Sequence, residues 1–140
     1  MISVGGGLKD ILKSSETIPE KKIASMIVEI LTGLNYLHSN GIVHRNLKPE
    51  NILVGSNGKL KISDYAVSKA FENYKSYPYP AAGSYTYLSP EELRNEKGGV
   101  RSDIWSLGCI AHELCSLQVT PIKNLSHHTM NQHTSSRQKE

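Results

Sequence analysis

The sequence has few of the features that mark secreted, membrane-spanning or disulfide-bonded proteins. It contains 2 cysteines, Cys109 and Cys115, which argues against a disulfide framework and for a reducing compartment. No run of about 18 apolar residues occurs, and the first residues, MISVGGGLKD, do not form a basic region followed by an apolar one. We therefore expect a soluble intracellular protein, in the cytoplasm, without a secretory leader or a membrane span.

Neither basic nor acidic side chains are in large excess. The 16 basic and 13 acidic side chains leave a net charge of +3, and they are scattered along the chain. This balance is too small and too dispersed to predict a nucleic-acid groove or an anionic membrane surface, so we expect neither partner. The 140 residues, 38% of them hydrophobic, suffice for one modest domain. Composition indicates nothing about the oligomeric state.

Two segments have the periodicity of amphipathic helices. The first runs from about residue 18 to 39, after a predicted capping box at Thr17–Glu20, and a left-handed stop is predicted at Asn40-Gly41. The second covers about residues 102–117, with Ser102 as the predicted N-cap. Its apolar stripe predicts deep burial of Ile104, Leu107, Ile110, Ala111 and Leu114.

A segment with a period of two lies between these helices. Residues 52–54 and 60–62 flank a polar turn whose Asn57-Gly58 step favours a tight hairpin. Residues 63–88 contain Pro78, Pro80 and six tyrosines without a sustained period, which is typical of a loop. From about Gln118 onward the chain is polar and has no aromatic residue, so a disordered tail is predicted.

Four motifs follow one another in an order known from one family. Residues 44–51 read H-R-N-L-K-P-E-N and resemble the catalytic loop H-R-D-L-x-x-x-N of protein kinases; residues 63–66, S-D-Y-A, stand in place of D-F-G. Residues 89–91, S-P-E, resemble the A-P-E anchor, and residues 102–108, S-D-I-W-S-L-G, match the opening of the central helix. By this resemblance the chain is identified as a member of the protein kinase family, of the serine/threonine type.

The resemblance implies an α+β protein-kinase-like fold. Residues 1–118 would form part of the mainly helical large lobe, from the hinge to the central helix, with one short β-hairpin, and residues 119–140 would form the polar tail. The small β-rich lobe, with its glycine-rich loop, lysine and glutamate, has no counterpart in the sequence. Gly5-Gly6-Gly7 has the wrong spacing for that loop and is interpreted as a flexible connector.

The resemblance also implies chemical roles. Asn51 and Asp64 would hold the magnesium ions that accompany ATP, Lys48 would place its ammonium on the transferring phosphate, and Ser84 would bind the positions of the catalytic base and the lysine. Simpler alternatives stay open: a loop-capping pair for Asn51 and Asp64, a solvated lysine and an ordinary turn serine.

Five further residues have structural or regulatory counterparts in the family. Arg45 would pair with a phosphate on the activation segment, and His44 and Tyr65 would pack in an apolar column. Glu91 would pair with a basic partner from helices that the sequence lacks. Asp103 would accept backbone N–H bonds from the catalytic loop, with an aspartate at a helix N-terminus as the simpler alternative.

Asn46 departs from the family pattern at the catalytic base. A neutral amide cannot take up the proton of a substrate hydroxyl, and loss of a general base costs about 10²–10⁴ in rate. With ATP and magnesium as the implied cofactors, tight binding of ATP by this chain alone is not expected without the small lobe. Three hypotheses stay open: an impaired serine/threonine kinase acting on a protein substrate, an inactive pseudokinase that regulates a protein partner, and a truncated fragment.

Overall fold

A computed structural model describes residues 6–63, 85–94, 96 and 98–119 of the chain. Within these residues the helices are α1 (Leu8–Ser14), α2 (Glu20–Ser39), α3 (Pro90–Leu93) and α4 (Val100–Ser116), and the strands are β1 (Ile52–Val54) and β2 (Leu60–Ile62). Single 3₁₀ turns lie at Pro49–Asn51 and Tyr85–Tyr87. The predicted α+β fold, mainly helical with one short hairpin, is confirmed.

The hydrophobic core lies where α2, α4 and the hairpin meet. Ile30 and Leu34 of α2, Ile110 and Leu114 of α4, and Ile52 of β1 are all fully buried. Burial of each such side chain contributes about 1.5–3 kcal/mol. The two long helices therefore form a rigid support, and the loop between α2 and β1 is held against it. No helix of the described residues is both long and apolar enough to cross a lipid bilayer.

The predicted β-hairpin is confirmed. β1 and β2 pair antiparallel, with Leu53 opposite Lys61, and Gly58 takes the positive φ of 74° that its turn requires. A side chain of α2 covers the free edge of β2, since Glu29 Oε2 accepts the backbone N–H of Leu60 at 2.8 Å. A carboxylate on this edge hydrogen-bonds a donor that would otherwise invite pairing with another strand.

Both long helices begin at residues that the sequence did not predict. The prediction of a capping box at Thr17–Glu20 is wrong. Pro19 is the N-cap of α2, without a side-chain cap, and its carbonyl accepts the backbone N–H groups of Lys22 and Ile23. Helix α4 begins at Val100 after Gly99, so Ser102 lies in the first turn and is not the N-cap. The reason is tertiary, because the Ser102 hydroxyl is engaged by Ser89 and Glu91.

The C-terminal stop of α2 is confirmed. Gly41 follows the helix with a φ of +72°, and the Ile42 N–H returns to the Leu37 carbonyl at 2.9 Å. This left-handed step turns the chain sharply away from the helix axis and leads it into residues 44–51.

The apolar stripe predicted for α4 is only partly buried. Leu107, Ile110 and Leu114 are in the core, but Ile104 is 48% exposed. The buried face is instead shared with polar side chains that find partners there, namely Ser102, Asp103, Ser106 and Glu113. A polar side chain tolerates such burial when its hydrogen bonds are satisfied.

The glycine-rich segment is ordered at Gly6 and Gly7, so its interpretation as a flexible connector is wrong for these two residues. Gly7 forms an isolated bridge with Leu53 of β1, and the Val54 N–H donates to the Gly6 carbonyl at 3.1 Å. A Cβ atom on Gly7 would lie 2.9 Å from the Ile52 carbonyl oxygen. Glycine therefore permits the close backbone approach that attaches α1 to the hairpin.

Candidate functional site

Asp103 shapes the loop of residues 44–51. Its Oδ2 accepts the backbone N–H of His44 and its Oδ1 that of Arg45, both at 2.8 Å. His38 Nε2 donates to Oδ2 at 2.7 Å. The carboxylate is fully buried, and hydrogen bonds to a charged acceptor are the stronger kind, so α4 holds the loop directly. This is the contact that the resemblance implies for Asp103.

The backbone of Arg45, which donates to Asp103, adopts an uncommon conformation. Its φ of +66° lies in the left-handed region, which is uncommon outside glycine and costs on the order of 1–3 kcal/mol. The hydrogen bonds that Asp103 accepts from His44 and Arg45 hold the backbone in that conformation. The three residues that follow Arg45 line a small space that Ser106 of α4 also lines.

His44 links the loop to the end of the hairpin. The ring is buried, its Nδ1 accepts the Asn46 N–H at 3.2 Å, and its Nε2 lies 2.8 Å from the Ser63 carbonyl. Because Nδ1 accepts, Nε2 carries the proton and donates it to that carbonyl. The histidine is therefore a packed core residue, as the sequence suggested, and it also joins Asn46 to Ser63.

Several hydrogen bonds also hold Asn51 in place. It is buried, its Nδ2 donates to the Asn46 carbonyl at 2.8 Å, and its own carbonyl accepts from the Ser63 N–H and Oγ. Its Oδ1 is left as a hard oxygen donor of the kind magnesium prefers. Ser63 is the residue before Asp64, the second expected magnesium ligand.

The expected metal site consists of few protein oxygens. No group of three His, Cys, Asp or Glu side chains is arranged to hold a metal within the part of the chain that the structure describes. Asp64, Tyr65 and Ser84, and all but the first residue of the predicted tail at 119–140, lie outside the described residues.

A small cleft lies between the loop and the segment before α3. It is lined by Arg45, Asn46, Leu47, Lys48, Tyr87, Leu88 and Ser106. Asn46 is exposed and Lys48 half-buried, and both residues line this cleft. The structure thus brings together two of the three residues expected to act on the substrate hydroxyl and the phosphate.

Tyr87 forms the wall opposite the loop. Its carbonyl accepts from Ser106 Oγ at 2.7 Å, and its hydroxyl donates to the buried carboxylate of Glu113. Burial, followed by the hydrogen bond to Glu113, raises the pKa of the Tyr87 phenol above its usual value. The phenol therefore stays protonated and keeps donating.

A group of charged side chains next to Tyr87 was not singled out from the sequence. Lys9 Nζ lies 3.5 Å from Glu50 Oε1 and 3.9 Å from Glu113 Oε1. Glu113 falls on the same face of the helix as Asp103 and Ile110, and a carboxylate at such a position is the signal that could have revealed it. Nothing in the sequence links Lys9 to it.

Glu91 has a partner that the sequence did not predict. Ser102 Oγ donates to Glu91 Oε1 at 2.9 Å, and Ser89 Oγ contacts Ser102 Oγ at 3.0 Å. The pKa of the Glu91 carboxyl is lowered, chiefly by a backbone hydrogen bond and further by hydrogen bonds with the serine hydroxyls. Neutral donors thus stabilise the ionised form of Glu91. The same hydrogen bonds attach α3 to α4. No cationic side chain forms an ion pair with Glu91 in the described residues.

The chain is similar in sequence to known proteins. The family model of the protein kinase domain matches residues 2–139. The chain is 42% identical over 118 residues to mitogen-activated protein kinase kinase SIPKK of Nicotiana tabacum, which covers 84% of this chain. It is also 42% identical over 110 residues, 78% of this chain, to mitogen-activated protein kinase kinase 2 of Arabidopsis thaliana.

A more distant relative is bacterial. The serine/threonine-protein kinase PknB of Mycobacterium leprae is 34% identical over 112 residues, or 79% of this chain. The chain spans 33%, 30% and 18% of the lengths of the tobacco, Arabidopsis and mycobacterial relatives. The matched part is therefore a third or less of each of these relatives.

Proposed function

The chain belongs to the protein kinase family, and from this premise we propose that it carries the phosphoryl-transfer half of a serine/threonine kinase, with transfer impaired by Asn46. Kinases of this family use ATP and magnesium. The acceptor that we propose is a hydroxyl of a protein, in keeping with the names of the kinase kinases among the relatives. We propose the cytoplasm as its location.

One observation carries the proposal: Asp103 holds the loop so that Asn46 and Lys48 face one cleft. Phosphoryl transfer needs little covalent chemistry from the protein, and catalysis rests on positioning and electrostatic stabilisation. A loop held by two charge-assisted hydrogen bonds to a buried carboxylate supplies that positioning. This positioning supports the proposal of phosphoryl transfer, even though the base is replaced.

Each residue in the cleft has a proposed part. The Lys48 ammonium stabilises the negative charge that builds on the phosphoryl oxygens. Asn51 and Asp64 would hold magnesium, which neutralises phosphate charge when bound. Asn46 Oδ1 can accept a hydrogen bond from the substrate hydroxyl and orient it, but the neutral amide cannot take its proton. Arg45 remains our candidate for pairing with a phosphorylated residue of the activation segment.

Asn46 also favours a second candidate function. A chain with an oriented loop and no base retains the surface of a kinase while losing its turnover, which is the property of a pseudokinase that regulates a protein partner. The two functions differ in whether the loop still accelerates transfer.

Transfer of labelled γ-phosphate from ATP to a serine/threonine protein substrate, in the presence of magnesium, separates these functions. ATP is supplied at a concentration high enough to offset the weak binding expected without the small lobe, and under these conditions we expect Asn46→Asp to exceed the wild-type rate by about 10²–10⁴, because it restores the general base. Asp64→Ala should abolish transfer in both backgrounds. Asn35→Asp, an identical change at an exposed position of α2, is the matched control and should leave the rate unchanged.

The outcomes point in different directions. Robust wild-type transfer that Asp64→Ala removes would contradict the impairment. An inactive wild type that Asn46→Asp does not improve would favour the regulatory module over the kinase.

A further inference from the structure

Four side-chain oxygens form a row between α3 and α4, which we call the oxygen row. Glu92 Oε2 lies 2.9 Å from Ser89 Oγ, and Ser89 Oγ lies 3.0 Å from Ser102 Oγ. Ser102 Oγ in turn lies 2.9 Å from Glu91 Oε1. Both serines are fully buried. These distances are those of O–H···O hydrogen bonds, so each of the three contacts needs one proton.

The oxygen row lacks one proton if both carboxylates are ionised. A serine hydroxyl has a single proton to donate and two lone pairs that accept, so the two serines supply two protons for three contacts. Ser102 donates to Glu91. The Ser89 proton can then serve either Glu92 or Ser102. One buried contact is left without a donor, which costs free energy.

Glu92 can supply the third proton. A protonated carboxyl is an O–H donor, and a proton on Glu92 Oε2 that is donated to Ser89 Oγ frees the Ser89 proton for Ser102. The same Oε2 still accepts the backbone N–H of Ser89 at 2.9 Å. Glu92 Oε1 is buried and has no hydrogen-bond partner among the described residues, which is less costly for a neutral acid than for an anion.

The surrounding charges favour the proton on Glu92 over Glu91. Burial raises the pKa of the Glu92 carboxyl, and the like charges of Asp103 on α4 and of Glu91 on α3 raise it further, against the hydrogen bonds from Ser89. The pKa of Glu91 is lowered instead, and the guanidinium of Arg94 contributes to this. The two neighbouring carboxyls therefore differ in their affinity for a proton.

We propose that Glu92 holds the third proton of the oxygen row and thereby makes the attachment of α3 to α4 a pH-sensitive switch. When the proton leaves, the contact between Ser89 and Ser102 loses its donor, and α3 is held less firmly. Leu88, which lines the cleft, directly precedes Ser89. The switch thus adjoins the site proposed for transfer, but it does not depend on transfer.

The direction of the pH effect follows from the proton balance. The unfolded chain releases the Glu92 proton near the ordinary pKa of 4.5, whereas the folded chain holds it to higher pH. The stabilisation is therefore complete below this pH and is lost as pH rises through the pKa of folded Glu92. The unfolding equilibrium constant changes by up to about tenfold per pH unit in this window. Glu91, with its lowered pKa, acts in the opposite direction and below pH 4.5.

Carbon NMR of the glutamate carboxyl groups tests this proposal, with Glu92→Gln assigning the Glu92 signal. In the wild type we expect Glu92 to titrate at a higher pH than the exposed Glu16. Ser102→Ala removes two of the three contacts, so the Ser89 proton alone suffices and the titration midpoint of Glu92 should fall. Ser106→Ala removes a hydroxyl one turn further along α4, outside the oxygen row, and should leave that midpoint unchanged.

A Glu92 signal that titrates together with Glu16 would overturn the proposal. An unchanged Glu92 midpoint in Ser102→Ala would also overturn it, because burial alone would then hold the proton. If Ser102→Ala does not fold, urea unfolding of the wild type and Glu92→Gln between about pH 5 and pH 8 becomes the readout. The loss of stability with rising pH should be smaller in Glu92→Gln, while Glu16→Gln keeps the wild-type loss. Equal losses in the wild type and Glu92→Gln would contradict the switch.

Discussion

Asp103 sets the geometry of the site at the scale of a single residue. Its buried carboxylate accepts from the backbone N–H groups of His44 and Arg45 and from the His38 ring. Hydrogen bonds to a charged group are worth about 1.5–3 kcal/mol each, enough to offset the left-handed conformation of Arg45. The geometry of the loop of residues 44–51 therefore depends on one side chain that lies more than fifty residues away in sequence.

Tyr87 gives the residue-scale prediction, a pH dependence of stability. The folded protein holds the phenol proton above the ordinary pKa of 10.0, whereas the unfolded chain releases it near that pH. Stability from this proton is therefore complete below about pH 10 and is lost as pH rises further, by up to about 1.4 kcal/mol per pH unit. Urea unfolding of the wild type and Tyr87→Phe between about pH 8 and pH 11 measures the difference.

Tyr36→Phe is the control, because Tyr36 is 70% exposed and its removal should leave the wild-type slope. A Tyr87→Phe protein with the same alkaline loss of stability as the wild type would contradict the role of this phenol.

At the scale of elements, the attachment of α1 to β1 places Lys9 and the chain that leads into α2. The Gly7–Leu53 bridge and the hydrogen bond from Val54 to Gly6 form this attachment. It excludes a side chain at residue 7, since the Ile52 carbonyl lies in the way.

Exchanging two glycines for alanine tests this attachment. Gly7→Ala should lower the free energy of unfolding by about 1–3 kcal/mol, because its Cβ forces the two backbones apart. Gly108→Ala is the matched control: it lies within α4, a Cβ there would meet nothing within 4 Å, and alanine should raise stability by about 0.5–1 kcal/mol. Denaturant unfolding measures both. A Gly7→Ala protein as stable as the wild type would mean that the bridge contributes nothing.

The whole molecule leaves apolar side chains in contact with solvent along the first turns of α4. Val100 and Ile104 lie one turn apart, and Trp105 is beside them; they are 45%, 48% and 39% exposed. Neighbouring exposed apolar groups favour association or aggregation more than isolated ones do. The polar part of α4 faces inward at Asp103 and Ser106, so the helix has apolar and polar residues on both faces.

At this scale we predict concentration-dependent self-association. Sedimentation velocity on the wild type should show larger species growing with protein concentration, and Ile104→Lys should reduce them because it places a charge within the patch. Tyr36→Lys, which replaces an exposed aromatic residue of α2, should have a smaller effect. A monodisperse wild-type monomer at every concentration would contradict the prediction.

The sequence could predict those parts of the fold that arise from local physics. Periods of 3.6 and 2 indicated α2, α4 and the hairpin, and Gly41 and Gly58 marked turns that need a positive φ. The starts of the helices could not be predicted, because Ser102 is engaged by Ser89 and Glu91 across the fold. The ordering of Gly6 and Gly7 also depends on a strand more than forty residues later.

The family, the α+β class and the presence of Asn46 where the family pattern has aspartate could all be recognised from the sequence, because motifs, periodicity and side-chain chemistry belong to short stretches of chain. The contacts of Asp103 with the loop, of Ser102 with Glu91, and of Lys9 with Glu50 and Glu113 became visible only in the folded chain. Charge pairing and hydrogen bonding act over a few ångströms of space. Folding brings these distant positions within that range, and the order of residues along the chain does not reveal it.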